Sequence, residues 1–263
     1  MFLHVSSRLE FELSSPTPFI FILRPRKNDS SQIIKKEELK IHPRKKIFEY
    51  IDGFGNRCQR INAPKGKFSI ASSADVITSD DVDIFFDAPF EAIQNLPNKI
   101  IPFLLPSRYC ESDRLEQLAE SIVEDSQSGY PQVFRICEWV RNYINYYPGS
   151  SYIPMTAIEV KDQGFGVCRD LAHLCIALCR GINIPARIAV GYLYKLEPMD
   201  LHAWFEAYVG GRWYTFDPVL PSPQGGRIVT AYGRDATDVA IYTNFGPPIN
   251  YSTLETDVTL IED

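Results

Sequence analysis

The period of the hydrophobic pattern changes twice along this chain of 263 residues. Before about residue 98, apolar residues come in short alternating runs separated by turn residues, a pattern typical of β-strands. From Ser112 onwards they recur every three or four positions, which indicates helices, and after Pro185 the alternation returns. Helices followed by strands within one segment predict an α+β domain, here preceded by a β-rich module.

The first part of the chain contains several short strand patterns. The clearest signal is the segment Asp52–Asn56, whose two glycines lie between two extended runs and predict a hairpin turn. Further strands are predicted at residues 9–13, 19–23, 68–71 and 76–78. Short strands linked by turns predict a β-sandwich-like module, which we assign to residues 1–98, with residues 99–263 forming the second domain.

Three helices are predicted in the second domain. Ser112 can cap the first, whose apolar residues recur at helical spacing over residues 115–123. Pro131 suits the first turn of the second helix, because an N–H at that position would have no intrahelical partner. The third helix is predicted to begin near Cys168 and to end at Gly181.

Cys168 is the candidate nucleophile. Gly164 and Gly166 allow the backbone to turn sharply into the third helix, which puts Cys168 in its first turn. The positive end of the helix dipole stabilises a thiolate at that place. A single cysteine in an apolar helix is more commonly a packed core residue, so the functional interpretation depends on its partners.

His202 and Asp217 are the candidate partners of Cys168. The Gly210-Gly211 turn predicts a hairpin in which each residue before the turn pairs with its mirror position after it. Side chains alternate, so one face carries His202, Trp204, Glu206, Tyr208, Trp213, Thr215 and Asp217. His202 then lies diagonally across from Asp217, at a backbone spacing of about 7–8 Å that two side chains can bridge. Asp217 can orient the imidazole while its other nitrogen faces Cys168.

His173 is an alternative base on the third helix. Five positions at about 100° each turn it roughly 140° away from Cys168, so we predict a packed, hydrogen-bonded histidine instead. Cys175 and Cys179 could be combined with His173 as metal ligands. The sequence has no second ligand pair with zinc-like spacing, so these cysteines are predicted to pack in the core.

Composition and charge argue against some functional classes. The net charge of −6 comes from mixed charges, without the basic excess typical of nucleic-acid-binding domains. The apolar run at residues 19–23 is far shorter than the roughly 20 residues that cross a bilayer. The N-terminus lacks the basic and apolar regions of a secretory signal, and the six dispersed cysteines fit a reducing compartment. We therefore expect a cytoplasmic protein with no nucleic-acid or membrane partner.

Several motifs carry a family resemblance. They are Gly166-Val167-Cys168-Arg169-Asp170-Leu171-Ala172-His173-Leu174, Gly181–Arg187, His202-Ala203-Trp204-Phe205-Glu206 and Phe216-Asp217-Pro218. With these motifs the chain resembles the bacterial transglutaminase-like superfamily, and Tyr50–Asn56 resembles part of the β-rich module often found before that domain. The resemblance implies a papain-like catalytic domain with Cys168, His202 and Asp217 as the catalytic residues. Arg169 departs from the pattern, since many relatives have glutamine there.

The predicted chemistry is acyl transfer through a thioester. The Cys168 thiolate would attack a glutamine carboxamide or a peptide carbonyl, and an amine or water would release the product. Gly166, Val167 and Trp204 are further candidates for substrate or oxyanion contacts. The expected partners are a protein or peptide substrate and an amine acceptor, and no cofactor or metal is expected. Two alternatives stay open: a catalytically silent peptide- or protein-binding module on the same fold, and a metal-dependent hydrolase.

Overall fold

The computed structural model describes residues 1–27, 29–150, 153–249 and 251–261. Within these residues the chain forms three four-stranded sheets, a two-stranded sheet and four α-helices. The predicted combination of a β-rich N-terminal region with a helical and antiparallel second part is confirmed. Among the described residues, no helix combines the length and the apolar composition needed to cross a bilayer.

The first sheet is built from long strands with one buried face. Its order is β14-β1-β6-β3, with β1 at Phe2–Leu13, β3 at Gln32–His42, β6 at Gly66–Thr78 and β14 at Ser252–Leu260. Every second side chain of β1 is buried, as expected for a strand with one face in a core. The two strands predicted at 68–71 and 76–78 are parts of the single strand β6.

A second sheet packs against the first. Its order is β13-β2-β5-β4, with β2 at Thr17–Phe21, β4 at Phe48–Ile51, β5 at Arg57–Ala63 and β13 at Tyr242–Asn244. The predicted hairpin joins β4 to β5. Phe11 of the first sheet lies 5.1 Å, between ring centroids, from Phe19 of the second, and Phe68 lies 6.1 Å from Phe19. The two sheets therefore share an aromatic core, as in a β-sandwich.

The end of the chain returns to this first module. The strand β14 pairs with β1 from Leu3↔Leu260 to Phe11↔Ser252, and β13 pairs with β2. Local patterns cannot show such pairing, because the two partners lie more than two hundred residues apart in the sequence. The domain division at residue 98 stays a prediction.

The helices differ from the prediction in two places. The first, α1, spans Glu116–Val123 and is capped at Leu115; Ser112 instead begins a separate 3-10 turn, so its prediction as the cap is wrong. Ser112 is buried there, and its carbonyl accepts a hydrogen bond from Leu115 N–H at 3.2 Å. The second helix, α2, spans Tyr130–Tyr143 with Pro131 in its first turn, as predicted.

A helix that we did not predict, α3, spans Ala157–Gln163. Its signal was present in the sequence, since Thr156 and Glu159 form a reciprocal capping box. The following helix, α4, spans Cys168–Gly181, in agreement with the predicted start and end. Between α3 and α4, β8 (Phe165–Gly166) pairs in parallel with β7 (Asn145–Tyr146).

The third sheet packs on α4. Its order is β11-β10-β9-β12, with β9 at Ala186–Leu193, β10 at His202–Val209, β11 at Arg212–Phe216 and β12 at Arg227–Gly233. Ala203, Phe205 and Val209 join the buried side chains of α4 in one core. The predicted register of the β10–β11 hairpin is confirmed from Val209↔Arg212 to Phe205↔Phe216.

Candidate functional site

Cys168 is the first residue of α4, directly after the extended residue Val167. Gly164 ends α3 with a φ of +75°, a conformation that side chains with a Cβ disfavour. At Gly166 the constraint is space, because a Cβ there would lie 3.0 Å from Cβ of Asp170. These two glycines let the chain leave α3 and enter α4 within a few residues, which presents Cys168 at the helix start. Because no intrahelical acceptor exists for the first N–H groups, the Cys168 N–H points out of the helix.

Asp170 fixes the beginning of α4. Its carboxylate is fully buried and accepts hydrogen bonds from Val167 N–H (3.3 Å), Met155 N–H (3.3 Å) and Arg169 Nε (3.0 Å). The Val167 N–H, a predicted oxyanion contact, is therefore engaged within the chain. The Gly166 carbonyl accepts a hydrogen bond from Tyr147 N–H at 2.9 Å. Sequence reasoning missed Asp170, although its position three residues after Val167 is that of a capping-box acceptor.

His202 and Asp217 are joined by a hydrogen bond. His202 Nε2 lies 2.7 Å from Asp217 Oδ2, and both side chains are buried. Burial works to lower the pKa of His202, but the charge and the hydrogen bond of Asp217, together with Cys168, raise it to about 9. Burial works to raise the pKa of Asp217, yet His202 and Arg227 hold it well below its usual range. The pair is therefore an imidazolium next to a carboxylate at neutral pH.

The second ring nitrogen of His202, Nδ1, is not used by Asp217, and Cys168 is a neighbour of this ring. Nδ1 has no hydrogen-bond partner among the described residues, and the neighbouring Cys168 thiol adds to the effect of Asp217 in raising the pKa of the ring. Contacts between a nucleophile and its base are often long or poorly aligned before substrate binds. Tyr146 lies near the same thiol, and burial followed by the negative charges of Cys168 and Asp200 raises the pKa of its phenol to about 12.

Two arginines hold Asp217, and sequence reasoning missed both. Arg227 Nη2 donates to Asp217 Oδ2 at 2.8 Å, so this oxygen receives both Arg227 and His202. Arg141 Nη2 donates to the Asp217 backbone carbonyl at 2.8 Å, and Val219 N–H donates to Oδ1 at 3.0 Å. No local signal pointed to these arginines, because one belongs to α2 and the other to β12.

His173 has a different role, as predicted. Its Nδ1 donates to the Met155 carbonyl at 2.9 Å, and its Nε2 accepts a hydrogen bond from Ala236 N–H at 3.1 Å. The ring stacks on Tyr109 with a centroid distance of 5.3 Å. Burial lowers the pKa of His173 to about 4, so it is neutral at physiological pH. Both ring nitrogens are occupied, which confirms a packed and hydrogen-bonded histidine.

The other cysteines of α4 lie in the core. Cys175 and Cys179 are fully buried, and Cys137 of α2 neighbours both. Burial raises the pKa of the Cys175 and Cys179 thiols above the ordinary value. Cys168 is partly exposed, whereas the remaining cysteines are buried. Accessibility therefore separates Cys168 from every other thiol of the chain.

Trp204 packs against the histidine. The Trp204 ring stacks on His202 with a centroid distance of 6.1 Å and an interplanar angle of 26°. The Arg227 guanidinium carbon lies 4.9 Å from the centroid of the Trp204 ring. The residue is only 1% exposed. Trp204 thus packs against the His202 imidazole. A contact of Trp204 with substrate stays a prediction.

The chain is similar to known proteins in sequence and fold. A family model described as the transglutaminase-like superfamily matches residues 116–218. The crystal structure of a protein from Cytophaga hutchinsonii, described as a "Putative Cysteine Protease", is 36% identical, with a TM-score of 0.90 over 100% of this chain and 92% of that one. An uncharacterized protein of Mycobacterium leprae is 26% identical over 83% of this chain and 82% of its own length.

Proposed function

This chain belongs to the transglutaminase-like superfamily, and from that premise we propose that it is a cysteine acyltransferase or peptidase. Its reaction is thiol-dependent transfer or hydrolysis at glutamine carboxamides or peptide amide bonds. The observation that carries the proposal is the position of His202, which is bonded to Asp217 through Nε2, keeps Nδ1 free of partners among the described residues and has Cys168 as a neighbour that raises its pKa. This is the order of contacts that a nucleophile, a base and an orienting carboxylate require.

The first step is acylation of Cys168. The thiolate attacks the carbonyl carbon of the amide, forming a C–S bond and a tetrahedral oxyanion. The C–N bond then breaks, and the imidazolium of His202 gives its Nδ1 proton to the departing ammonia or amine. Asp217 stays ionised, and it stabilises and orients the imidazolium. The Cys168 N–H at the start of α4 is a suitable donor to the oxyanion.

The second step releases the acyl group from the thioester. Neutral His202 accepts a proton from the incoming amine or water, which attacks the carbonyl carbon while the C–S bond breaks. An amine acceptor gives an amide crosslink; water gives deamidation or peptide cleavage. The same three residues serve every case. Protein or peptide substrates and a primary amine acceptor are the partners that this chemistry needs, and the free state of all six cysteines supports a reducing compartment such as the cytoplasm.

The test uses glutamine-containing peptides with and without a primary amine, followed by mass spectrometry. We expect a deamidated or cleaved peptide with water alone, or an amine adduct when the amine is present, and no product with C168A. H202Q and D217N are expected to be strongly impaired. Full biological activity of C168A, combined with peptide binding, would instead show the catalytically silent binding module. Activity that is retained in C168A but lost when metal ions are chelated would show a metal-dependent hydrolase.

A further inference from the structure

The strand β4 forms one edge of the second sheet, since among the described residues it pairs only with β5. All four of its side chains are exposed, and three of them are large and apolar. Phe48 is 50% exposed, Tyr50 41% and Ile51 61%. Natural edge strands are commonly protected by charges, prolines or bulges, because their unpaired backbone groups can recruit a further strand. An apolar edge such as β4 is therefore a candidate surface for strand addition.

The neighbouring edge strand β3 shows the usual protection. It has a bulge between Ile34 and Lys36, and five of its eleven residues are charged. The strands β3 and β4 lie next to each other, because Glu37 of β3 and Glu49 of β4 both bond to the Arg57 guanidinium. Of these two neighbouring edges, β4 is the one whose regular backbone and apolar side chains suit pairing with another strand.

The backbone of β4 offers donors and acceptors on its outer side. Asp52 N–H donates to the Asn56 carbonyl at 3.1 Å, so these two residues form a hydrogen-bonded pair of the antiparallel ladder. Bonded and non-bonded pairs alternate along such a ladder, which makes Tyr50 the next residue that bonds to β5. The N–H and carbonyl groups of Glu49 and Ile51, on either side of Tyr50, therefore point away from β5.

Positive charge surrounds this edge. Six exposed cations take no part in the ion pairs of this region of the described chain, and together we call them the basic rim: Lys35, Lys36, Arg44, Lys45, Lys46 and Arg60. Two of them, Lys46 and Arg60, lie 4.9 and 5.7 Å from the centroid of the Phe48 ring. The carboxylate of β4, Glu49, is already held in ion pairs. The edge therefore favours a partner strand that is negatively charged.

A segment of the opposite character lies elsewhere on the same chain. Residues 80–87, which we call the acidic segment, read Asp-Asp-Val-Asp-Ile-Phe-Phe-Asp and belong to no helix or strand. All of them except Val82 are exposed. Val82, Asp83 and Ile84 make no backbone hydrogen bond with another residue that the structure describes. In an extended conformation Val82 and Ile84 would lie on one side, with Asp81 and Asp83 on the other.

We propose that the acidic segment of a second copy of this chain adds as a strand to β4. Val82 and Ile84 pack beside Phe48 and Tyr50, on the face that the two strands share. The aspartates lie on the side of Glu49, which faces β3 and its two lysines of the basic rim. Main-chain hydrogen bonds supply part of the affinity, and the match of charge selects the partner.

Both elements lie on the same side of the molecule. The turn after β4, Gly53-Phe54, and residues 81–83 line one cleft with a volume of about 980 Å³. A two-fold axis near this cleft lets each copy give its acidic segment and receive the other, as in a closed isologous dimer. Phe86 packs on Tyr130 and Phe134, with ring centroids 5.2 and 5.1 Å away, so the segment stays anchored at its end. The dimer requires no catalysis and stands independently of the proposed function.

The first test measures the oligomeric state of the full chain by sedimentation velocity over a concentration series. We expect a dimer at about 200 µM or below, weakened in about 1 M salt, because attraction between exposed charges is screened. I51P removes an outward N–H of β4 without removing a bond to β5, and it should weaken dimerisation about 10-fold or more.

The second test exchanges the charges of the two surfaces. K45E/K46E makes the rim acidic and D81K/D83K makes the segment basic, so each variant alone should dimerise about 10-fold or more weakly. Mixed in equal amounts, the two variants should form a heterodimer, because both of its contacts then join opposite charges. R8E, an exposed charge reversal on β1, is the control and should leave dimerisation unchanged.

The outcomes separate the possible occupants of this edge. A chain that stays monomeric at about 200 µM, or a dimer that neither I51P nor the charge exchange affects, overturns the inference. A monomeric chain that binds the free peptide of residues 79–87 would show that β4 takes an acidic segment of another protein, which also overturns a second copy as the occupant. If I51P does not fold, recovery of the dimer in the charge-exchanged mixture still carries the test.

Discussion

His202 and Arg227 donate to the same atom, Oδ2 of Asp217, at 2.7 and 2.8 Å. The two cations on one oxygen keep the Asp217 carboxylate ionised. Because they share this oxygen, each interacts with it less strongly than it would alone. The remaining oxygen, Oδ1, accepts Val219 N–H, so Asp217 cannot rotate without losing one of three bonds. We therefore expect the acidity of the imidazolium to depend on Arg227 of β12 as well as on Asp217.

The variant R227Q tests this dependence. The variant removes the positive charge of Arg227, so His202 becomes the one cationic partner of the Asp217 carboxylate. The pKa of His202 should therefore rise by about 1 unit above its value of about 9. A weaker acid protonates the leaving group more slowly, and we expect kcat/KM to fall about 10-fold with its alkaline limb moved to higher pH. NMR titration of the imidazole measures the shift directly. The exposed arginine variant R8Q is the control, and an unchanged titration in R227Q would refute the role of Arg227 in setting this acidity.

The raised pKa of His202 predicts how stability depends on pH. The folded state binds the proton more tightly than the unfolded state, whose histidine has a pKa of about 6.5. The protonated His202 thereby contributes about 3 kcal/mol to the free energy of unfolding. This contribution is complete below about pH 6.5 and is lost as the pH rises to about 9. Urea unfolding of the wild type and of H202Q between pH 6 and pH 10 measures it. The difference between the two proteins should shrink over this range, and a constant difference would contradict the prediction.

The effect of His173 on the pH dependence of stability has the opposite sign. Its pKa is lowered to about 4 in the folded state, so the unfolded chain takes up the proton first as the pH falls. Stability should decline between about pH 6.5 and pH 4, and H173Q should lose part of this decline. At neutral pH, H173Q that remains folded should keep the reactivity of Cys168 towards iodoacetamide, whereas H202Q should lower it. Equal losses in the two variants would return His173 to consideration as the base.

Alkylation also identifies the nucleophile. Cys168 is the partly exposed thiol, and the other five cysteines are buried. Iodoacetamide should therefore label Cys168 first in the native protein, with peptide mapping by mass spectrometry as the measurement. The control is the urea-unfolded chain, in which all six thiols should react at similar rates. Equal labelling of all six in the native protein would count against the proposed site.

Substitution of Asp170 is expected to lower the free energy of unfolding strongly. Its removal in D170A leaves two backbone N–H groups without their acceptor in a buried place, at a cost of about 2–4 kcal/mol. The matched control is E159A, since Glu159 occupies the same capping position on α3 but is exposed; its cost should be about 0.5–1 kcal/mol. Urea denaturation compares the two. Equal losses would mean that burial of Asp170 adds nothing to its capping role.

Short-range geometry explains what could be predicted. The β10–β11 register follows from two glycines and the two-residue period of a strand, and it places His202 diagonally across from Asp217. Helical rotation separates His173 from Cys168 for the same reason, because every step of the chain turns by a known angle. The start of α1 could not be located in this way. Whether Ser112 caps a helix or begins a 3-10 turn depends on what buries it.

Local sequence patterns were enough to predict the change from strands to helices and back to strands, the helix start at Cys168 and the strand face shared by His202 and Asp217. These follow from contacts between residues close along the chain, where backbone geometry leaves few choices. Three sets of contacts became known from the folded chain alone: Arg227 and Arg141 bond to Asp217, the Met155 carbonyl and the Ala236 N–H bond to His173, and β14 pairs with β1. Those contacts join distant segments, and their partners are selected by the packing of the whole chain.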